Sequence, residues 1–111
     1  LITKVVRYKP SPKPASYAHY DYSALTLMVH NDDQKLSQLE IAPPNHEKPL
    51  KYQPYSFLET SYRALLLPGL GLKLEGIPIE ATPHRVGPVN RYRHATMIYA
   101  MVPGRTVDYS L

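Results

Sequence analysis

Proline spacing is the feature that most limits what this chain can fold into. Twelve prolines are distributed from Pro10 to Pro103 over the 111 residues. Each proline removes a backbone donor that a helix interior or a central strand needs. The chain also has ten tyrosines, which suit a pleated, half-buried surface. This pattern predicts an all-β protein in which short strands are joined by turns.

The composition is that of a folded chain. Its length fits one domain over residues 1–111. Hydrophobic residues make up 43% and charged residues 20%, which is an ordinary globular balance and not the signature of disorder. The chain has no cysteine, so disulfides, thiolate zinc sites and thiol nucleophiles are excluded within it. Any metal ion would have to bind His, Asp or Glu.

Charge and hydropathy limit the kinds of partner. The formal net charge is +4, but the basic residues are spread from Lys4 to Arg105 without a cluster, so no nucleic-acid surface is predicted. Nor does any apolar segment approach the roughly 20 residues that span a bilayer. Residues 1–8 lack the long apolar core of a signal peptide. We therefore expect a soluble, cytoplasmic protein without a nucleic-acid or membrane partner.

Several short segments have the alternation and residue types of β-strands. We predict strands at 1–8, 16–21, 24–29, 39–41, 52–57, 70–74, 79–86 and 92–102. In residues 70–74 three leucines alternate with Gly71 and Lys73, which is a period-2 pattern. The segment 59–67 fits either a helix or a strand. Strands at this spacing, separated by Pro and Gly turns, are typical of a sandwich or a jelly roll.

A His-x-Asp triplet at His19 and Asp21 is the first candidate metal-binding element. Two residues this far apart on a strand project from the same face, so both side chains can reach one metal. The triplet alone is weak, since it also arises by chance on surfaces. A third candidate ligand, His84, lies in another strand-like segment. Two imidazoles and one carboxylate on one face of an iron leave the other positions open for a cosubstrate and dioxygen.

Two motifs in the right order resemble those of a known enzyme family. Residues 16–29, Ser-Tyr-Ala-His-Tyr-Asp-Tyr-Ser-Ala-Leu-Thr-Leu-Met-Val, are similar to the His-x-Asp-x-x-x-Leu-Thr-Leu segment of the isopenicillin-synthase-like, plant-type 2-oxoglutarate/iron(II) dioxygenases. Residues 81–86, Ala-Thr-Pro-His-Arg-Val, resemble the distal His motif of that family, and Arg7-Tyr8-Lys9-Pro10 resembles its short Tyr-Pro segment. The resemblance extends from Val5 to Pro103.

The resemblance implies both a fold and a site. The implied fold is a cupin-like double-stranded β-helix, or jelly roll, that forms the C-terminal core of a larger oxygenase. Iron(II) would be held by His19, Asp21 and His84, and the cosubstrate 2-oxoglutarate would be contacted by Arg93 and Tyr8. The implied reaction couples oxidative decarboxylation of 2-oxoglutarate to oxidation of a small-molecule substrate. Family members carry helical sequence that covers the sheet, so a further chain or subunit is expected to cover it here.

Parts of the chain depart from the family, which leaves other functions open. Residues 37–41 read Ser-Gln-Leu-Glu-Ile where Gly-Gly-Leu-Gln-Val is usual, and residues 57–61 do not match the Asn-Ile-Gly-Asp motif. The alternatives are a binding or assembly module that has lost turnover, an iron oxidase that does not use 2-oxoglutarate, and a hydrolase that uses zinc or another divalent metal. Ala95 stands where the family usually has a serine that contacts the cosubstrate.

The remaining histidines and arginines are predicted to lie outside the site. We expect His30 in a turn or at the surface and His46 in a solvated loop. Strand alternation predicts that Arg85, next to His84, faces away from the metal. Arg91 has the same parity as Arg93 but lies closer to the turn, so it is predicted to be solvated.

Overall fold

The structure is a computed structural model that describes residues 1–30, 38–43, 49–55 and 64–102. These residues form eight strands and one short helix. The elements in chain order are β1 (Ile2–Tyr8), β2 (Ser16–His19), β3 (Leu25–His30), β4 (Leu39–Ile41), β5 (Gln53–Pro54), β6 (Ala64–Pro68), α1 (Leu70–Leu74), β7 (His84–Val86) and β8 (Arg93–Ala100). Within the described ranges, no helix has the length and hydropathy required to cross a bilayer.

The strands form two antiparallel sheets. The order of the first sheet is β1-β8-β3-β6, and the order of the second is β2-β7-β4-β5. All pairs within the two sheets are antiparallel. Most neighbouring strands are distant in sequence, which is typical of a jelly roll. The predicted all-β jelly-roll class is therefore confirmed.

The hydrophobic core joins the two sheets. Met28 and Met97 of the first sheet pack with Leu39 and Val86 of the second. Burial alternates along β8, where residues 93, 95 and 97 are buried and those between them are half-buried. Because successive side chains on a strand point to opposite faces, the buried set lies on the face of the first sheet that meets the core. This is the face on which β8 presents Arg93.

The strand predicted from the leucine alternation at 70–74 was wrong. The sequence predicts a strand there, but residues Leu70–Leu74 form the helix α1. Their backbone groups bond within the turn and to an earlier loop, for example from Glu75 N to Gly71 O at 3.1 Å. Five residues are too few for periodicity to separate a strand from a helical turn, so tertiary contacts decide.

Other predicted strands are shorter in the structure. The strand predicted over 79–86 is confined to His84–Val86, since Pro83 has no N–H with which to extend the ladder. The strand predicted over 16–21 ends at His19. In 52–57, only Gln53–Pro54 is described as a strand, and residues 56–63 lie outside the described residues. Of the segment 59–67, which fits either a helix or a strand, residues 64–67 belong to the strand β6. His46 also lies outside them.

The outer face of the first sheet carries an apolar row, formed by Ile98, Leu27 and Leu66. These three residues pair across β8, β3 and β6, with Leu27 opposite both of the others. Leu66 is 56% exposed, and nearby Val5 on β1 is exposed as well. Exposed apolar patches on a sheet are typical of surfaces that bind another chain segment, a subunit or a ligand. We propose that a further chain segment or subunit covers this face of the sheet.

Replacing Leu27 with Lys and Leu66 with Glu, which places opposite charges across the strand pair, is expected to lower binding of an apolar fluorescent dye and to reduce self-association. Both side chains are exposed, so the free energy of unfolding is expected to change by less than about 1 kcal/mol. Dye fluorescence and sedimentation velocity measure the effect. Ile79→Lys is the control, because Ile79 is similarly exposed but lies outside the sheet. Unchanged dye binding in the double variant would contradict this interpretation of the apolar row.

Candidate metal centre

Three side chains from two neighbouring strands and a loop converge at one point. His19 on β2 pairs with His84 on β7, and their ring centroids are 4.4 Å apart. The Nε2 atoms of His19 and His84 lie 3.3 and 3.4 Å from the same oxygen, Oδ1 of Asp21. One ligand atom from each residue lies within 4.8 Å of the other two. The structure thus brings the three predicted metal ligands together.

Backbone carbonyl groups orient both imidazoles. His19 Nδ1 lies 2.7 Å from the carbonyl oxygen of Tyr17, and His84 Nδ1 lies 3.0 Å from that of Thr82. Because a carbonyl oxygen can only accept a hydrogen bond, each Nδ1 carries the proton that it donates. In the protonated ring, Nε2–H donates to Asp21, and in the neutral ring the lone pair is on Nε2 and can bind a cation. This is the arrangement by which proteins hold histidines that bind metals.

The carboxylate of Asp21 is largely buried, with 8% of its surface exposed. Burial by itself raises the pKa of this carboxyl, but hydrogen bonds from His19 and His84 outweigh it and hold the pKa well below the usual range. In return, the hydrogen bond to Asp21 raises the pKa of His19 against the opposing effect of burial. Asp21 is therefore ionised, and a divalent cation can take the place of the protons that the imidazoles share with it.

Asp21 reaches the site through a loop and not through strand alternation. The strand β2 ends at His19, which corrects the strand argument of the sequence analysis. The loop instead rests on the start of α1, where Leu70 N donates to Asp21 O at 2.9 Å and Gly71 N donates to Ser23 O at 3.0 Å. These bonds connect the loop that carries Asp21 to the helix that the sequence analysis missed.

Two glycines permit this close approach. A Cβ atom on Gly69 would collide with the carbonyl oxygen of Ser23, and one on Gly71 would lie 2.8 Å from the backbone nitrogen of Ala24. Both contacts would be closer than Cβ atoms show in real proteins. In the sequence, Gly71 of the Gly-Leu-Gly motif at 69–71 was interpreted as part of a strand. The two glycines instead indicate a close contact between two backbone segments.

Arg93 and Tyr8 lie beside the three ligands. They are register partners on β8 and β1, and Cζ of Arg93 is 5.5 Å from the centre of the Tyr8 ring. Arg93 is 1% exposed. Together with His19, Asp21 and His84, both residues line a cavity of about 60 Å³. The two residues predicted to contact a cosubstrate are thus brought to the candidate metal centre.

Arg85 and Arg91 lie where the sequence predicts them. Arg85 faces away from the candidate site, because it donates to both carboxylate oxygens of Glu40 at 3.1 and 3.3 Å and its Cζ lies 4.2 Å from the centre of the Tyr52 ring. Arg91 is exposed. The prediction for His30 was wrong: it is the last residue of β3 and is 2% exposed, because its parity places it on the core face with Met28.

A second, larger cavity opens on two of the three ligands. Its volume is about 310 Å³, and the described residues that line it are Ile2, Lys4, His19, Tyr20, Asp21, Tyr22, Ser23, Tyr99 and Met101. The phenol of Tyr99 has its pKa raised to about 12 by burial and by the nearby Asp21 and Tyr8, so it is a hydrogen-bond donor at neutral pH. Sequence reasoning missed Lys4 and Tyr99 here. Lys4 has the same strand parity as Tyr8 on β1, and Tyr99 has the same parity as Arg93 on β8. This shared parity could have indicated that both residues face the site.

Comparison with known proteins finds similarity in structure only. No family model matches the chain, and no curated protein matches it. The crystal structure of a full-length Neurospora crassa protein in complex with alpha-KG has a TM-score of 0.71 and 15% identity, covering 94% of this chain and 37% of that one. The rice dioxygenase for auxin oxidation, DAO, has a TM-score of 0.69 and 16% identity, covering 92% and 34%.

A C-terminally truncated apo form of the same Neurospora crassa protein is also similar, with a TM-score of 0.61 and 18% identity. This chain spans about a third of the length of these structures, between 34% and 37%. The likeness confirms the resemblance to 2-oxoglutarate-dependent dioxygenases at the level of the fold. The chain has the fold of their jelly-roll core.

Alanine in place of His19, Asp21 or His84 is expected to abolish binding of a divalent cation. Loss of a ligand is expected to exceed the roughly 10–100-fold effect of losing an outer hydrogen-bond partner. The fold is expected to persist, because an open site contributes less stability than a closed structural one. Calorimetric titration with Mn²⁺ measures the affinity. His94→Ala, on the other face of β8, is the control, and wild-type affinity in His84→Ala would rule out its assignment as a ligand.

Gly69→Ala is expected to weaken metal binding without direct contact with the metal, because the added methyl group displaces the loop that carries Asp21. Gly76→Ala is the matched control. Gly76 has a φ of +82° and no heavy atom within 4 Å of its Cβ position, so that variant is expected to lose about 1 kcal/mol of stability through backbone strain alone. Calorimetric metal titration and urea unfolding separate the two effects. Equal metal affinity in both variants would exclude this role of Gly69.

Proposed function

We propose that this chain is the jelly-roll core of an iron(II) dioxygenase that uses 2-oxoglutarate to oxidise a small-molecule substrate. The observation that carries the proposal is the pair of imidazoles whose Nε2 atoms face one buried carboxylate oxygen. The fold supports it, since one of its structural neighbours is a complex with alpha-KG, which is 2-oxoglutarate. Neither observation favours a hydrolase or a binding module.

The three donors fit iron(II). His19 and His84 would each contribute Nε2 and Asp21 a carboxylate oxygen, and two imidazoles with one carboxylate are the donor set of non-haem iron(II) oxygenases. When bound there, iron(II) would supply the decarboxylation of 2-oxoglutarate and the oxidation of the second substrate. The carbonyls of Tyr17 and Thr82 hold the imidazoles in the tautomer that this role requires.

Arg93 is the proposed anchor for the distal carboxylate of 2-oxoglutarate. Its guanidinium is permanently charged and matches a carboxylate with two parallel hydrogen bonds. Burial strengthens this preference for an anion, since a charge in a low-dielectric environment interacts more strongly than one in water. Tyr8 lies against the guanidinium. Ala95 has no hydroxyl, so the second carboxylate contact usual in the resembled family is expected to be lost.

The walls of the smaller cavity are expected to exclude water from the bound cosubstrate. Met28, Met97 and Val86 line it, and all three belong to the hydrophobic core. An apolar wall beside the metal lowers the local dielectric and strengthens the ionic contacts of Arg93 and Asp21. The core of the jelly roll and the proposed cosubstrate pocket therefore share side chains.

The proposal is tested by anaerobic titration with iron(II) followed by 2-oxoglutarate. We expect the weak visible charge-transfer band of the chelate in the wild type and its loss in Asp21→Ala. The titration needs no turnover, so it suits a chain that spans only about a third of its structural neighbours. Iron binding without a band would indicate an oxidase that does not use 2-oxoglutarate. Absence of iron binding would exclude the proposed function.

Arg93→Ala is expected to retain iron(II) and to need a higher 2-oxoglutarate concentration for the same band. Loss of a charge-assisted hydrogen bond worth about 1.5–3 kcal/mol corresponds to a loss of affinity of roughly 10–150-fold. Arg91→Ala removes the same charge from an exposed position and is expected to have little effect, and Ala95→Ser is expected to increase affinity. Unaltered 2-oxoglutarate affinity in Arg93→Ala would exclude it as the anchor.

A further inference from the structure

Lys4 lies between the two cavities of the candidate site. It shares the inner face of β1 with Tyr8, and it pairs with Met97 of β8, whose side chain is in the core. Lys4 lines both the cavity of about 60 Å³ and the cavity of about 310 Å³. Lys4 is exposed to solvent, and the register of β1 in the first sheet places it in the lining of the same two cavities as His19 and Asp21.

With the metal and 2-oxoglutarate bound, the site would carry one excess positive charge, that of Lys4. In the proposed function, the charges of the divalent metal and Arg93 together offset those of Asp21 and the 2-oxoglutarate dianion. Among the described residues that line the larger cavity, Lys4 is then the charged group without a counter-charge, since Asp21 is already matched and the others carry no formal charge at pH 7. A ligand with one negative charge would bring the site to neutrality, which favours a monoanion over a neutral molecule.

The walls of the larger cavity favour a flat apolar body. Tyr20, Tyr22 and Tyr99 present three aromatic rings, and Ile2 and Met101 add aliphatic surface. Aromatic rings and thioethers stack well against planar ligands. The volume of about 310 Å³ is at the lower end of the roughly 300–1,000 Å³ of small-ligand pockets. This cavity fits a small ring system with a short side chain.

We infer that Lys4 is the specificity-determining residue of the substrate site and that the substrate is a small aromatic carboxylate. This inference rests on the proposed function, because the metal and 2-oxoglutarate set the charge that Lys4 completes. The ring of the substrate lies among the tyrosines of the larger cavity, and its carboxylate pairs with the Lys4 ammonium beside the metal.

The competing explanation for Lys4 is a purely structural role. The strand β1 is at the edge of the first sheet, and an inward-pointing charge on an edge strand opposes pairing with another chain. In that role, loss of Lys4 would change the association state of the protein but not its choice of ligand. The two roles therefore differ in a measurable way.

The test uses trans-cinnamate and its neutral amide, cinnamamide, as probes. The protein is loaded with Mn²⁺ and 2-oxoglutarate, so that no turnover occurs, and the broadening of probe ring protons by Mn²⁺ is followed by NMR titration. We expect cinnamate to bind about tenfold or more tightly than the amide, as for a charge-assisted hydrogen bond. Lys4→Met is expected to abolish this preference, and Lys4→Arg is expected to retain most of it.

Arg7→Met is the matched control. Arg7 is on the same strand but on the opposite face, where its guanidinium lies 3.9 Å from the centre of the Tyr92 ring. The variant removes one positive charge without altering the cavity, and it is expected to keep the preference for cinnamate. Sedimentation velocity of Lys4→Met shows whether the edge strand has begun to pair.

Each failure has a distinct meaning. If Mn²⁺ does not bind, the proposed function and the inference both fall. If Mn²⁺ and 2-oxoglutarate bind but Lys4→Met still prefers cinnamate, or the wild type does not, the inference alone is overturned. If the preference is lost in Arg93→Met and kept in Lys4→Met, the probe occupies the 2-oxoglutarate pocket and the inference is likewise overturned. If Lys4→Met changes the association state but keeps the preference for cinnamate, the inference is also overturned.

Discussion

The buried carboxylate of Asp21, shared between two imidazoles, is the interaction on which the arrangement of the site depends. A buried charge without a partner costs several kcal/mol, and here that cost is offset by His19 and His84 at 3.3 and 3.4 Å. Because both rings are held from behind by backbone carbonyls, they cannot turn away without losing a second hydrogen bond. The three side chains are therefore held in place without a bound cation.

This arrangement requires distant parts of the chain to be fixed with respect to one another. Antiparallel pairing of β2 with β7 sets His19 opposite His84, across more than sixty residues of sequence. The third ligand depends on α1, whose first amides bond to the carbonyls of the Asp21 loop. One ligand set is thus supported by a sheet and a helix, and glycines at their junction allow the backbones to approach.

The two cavities divide the surroundings of the ligands into regions of different chemistry. The smaller one combines core side chains with the guanidinium of Arg93, and the larger one combines three tyrosines with the ammonium of Lys4. Both cations come from adjacent strands, β8 and β1, on the inner face of the first sheet. The edge strand β1 therefore contributes the charge of Lys4 to the surroundings of the site. The outer face of that sheet carries the apolar row of Ile98, Leu27 and Leu66, which we propose is covered by another segment or subunit.

The sequence by itself determined the features that depend on local pattern. Proline spacing and tyrosine content predicted short strands, the His-x-Asp triplet and a distant His84 identified the three candidate ligands, and strand parity separated Arg93 from Arg85. The separation of Arg93 from Arg85 follows from the period of two along a strand, which is a local property of the backbone, whereas Asp21 reaches the site through a loop.

Only the tertiary structure decided the features that depend on contacts between distant segments. Leu70–Leu74 became a helix because its amides meet the Asp21 loop, and His30 became buried because β3 continues as a central strand to that residue. Lys4 could be assigned to the site only once the register of β1 against β8 was known. Short segments have no strong preference of their own, so the free energy of packing against the rest of the chain determines their structure and their neighbours.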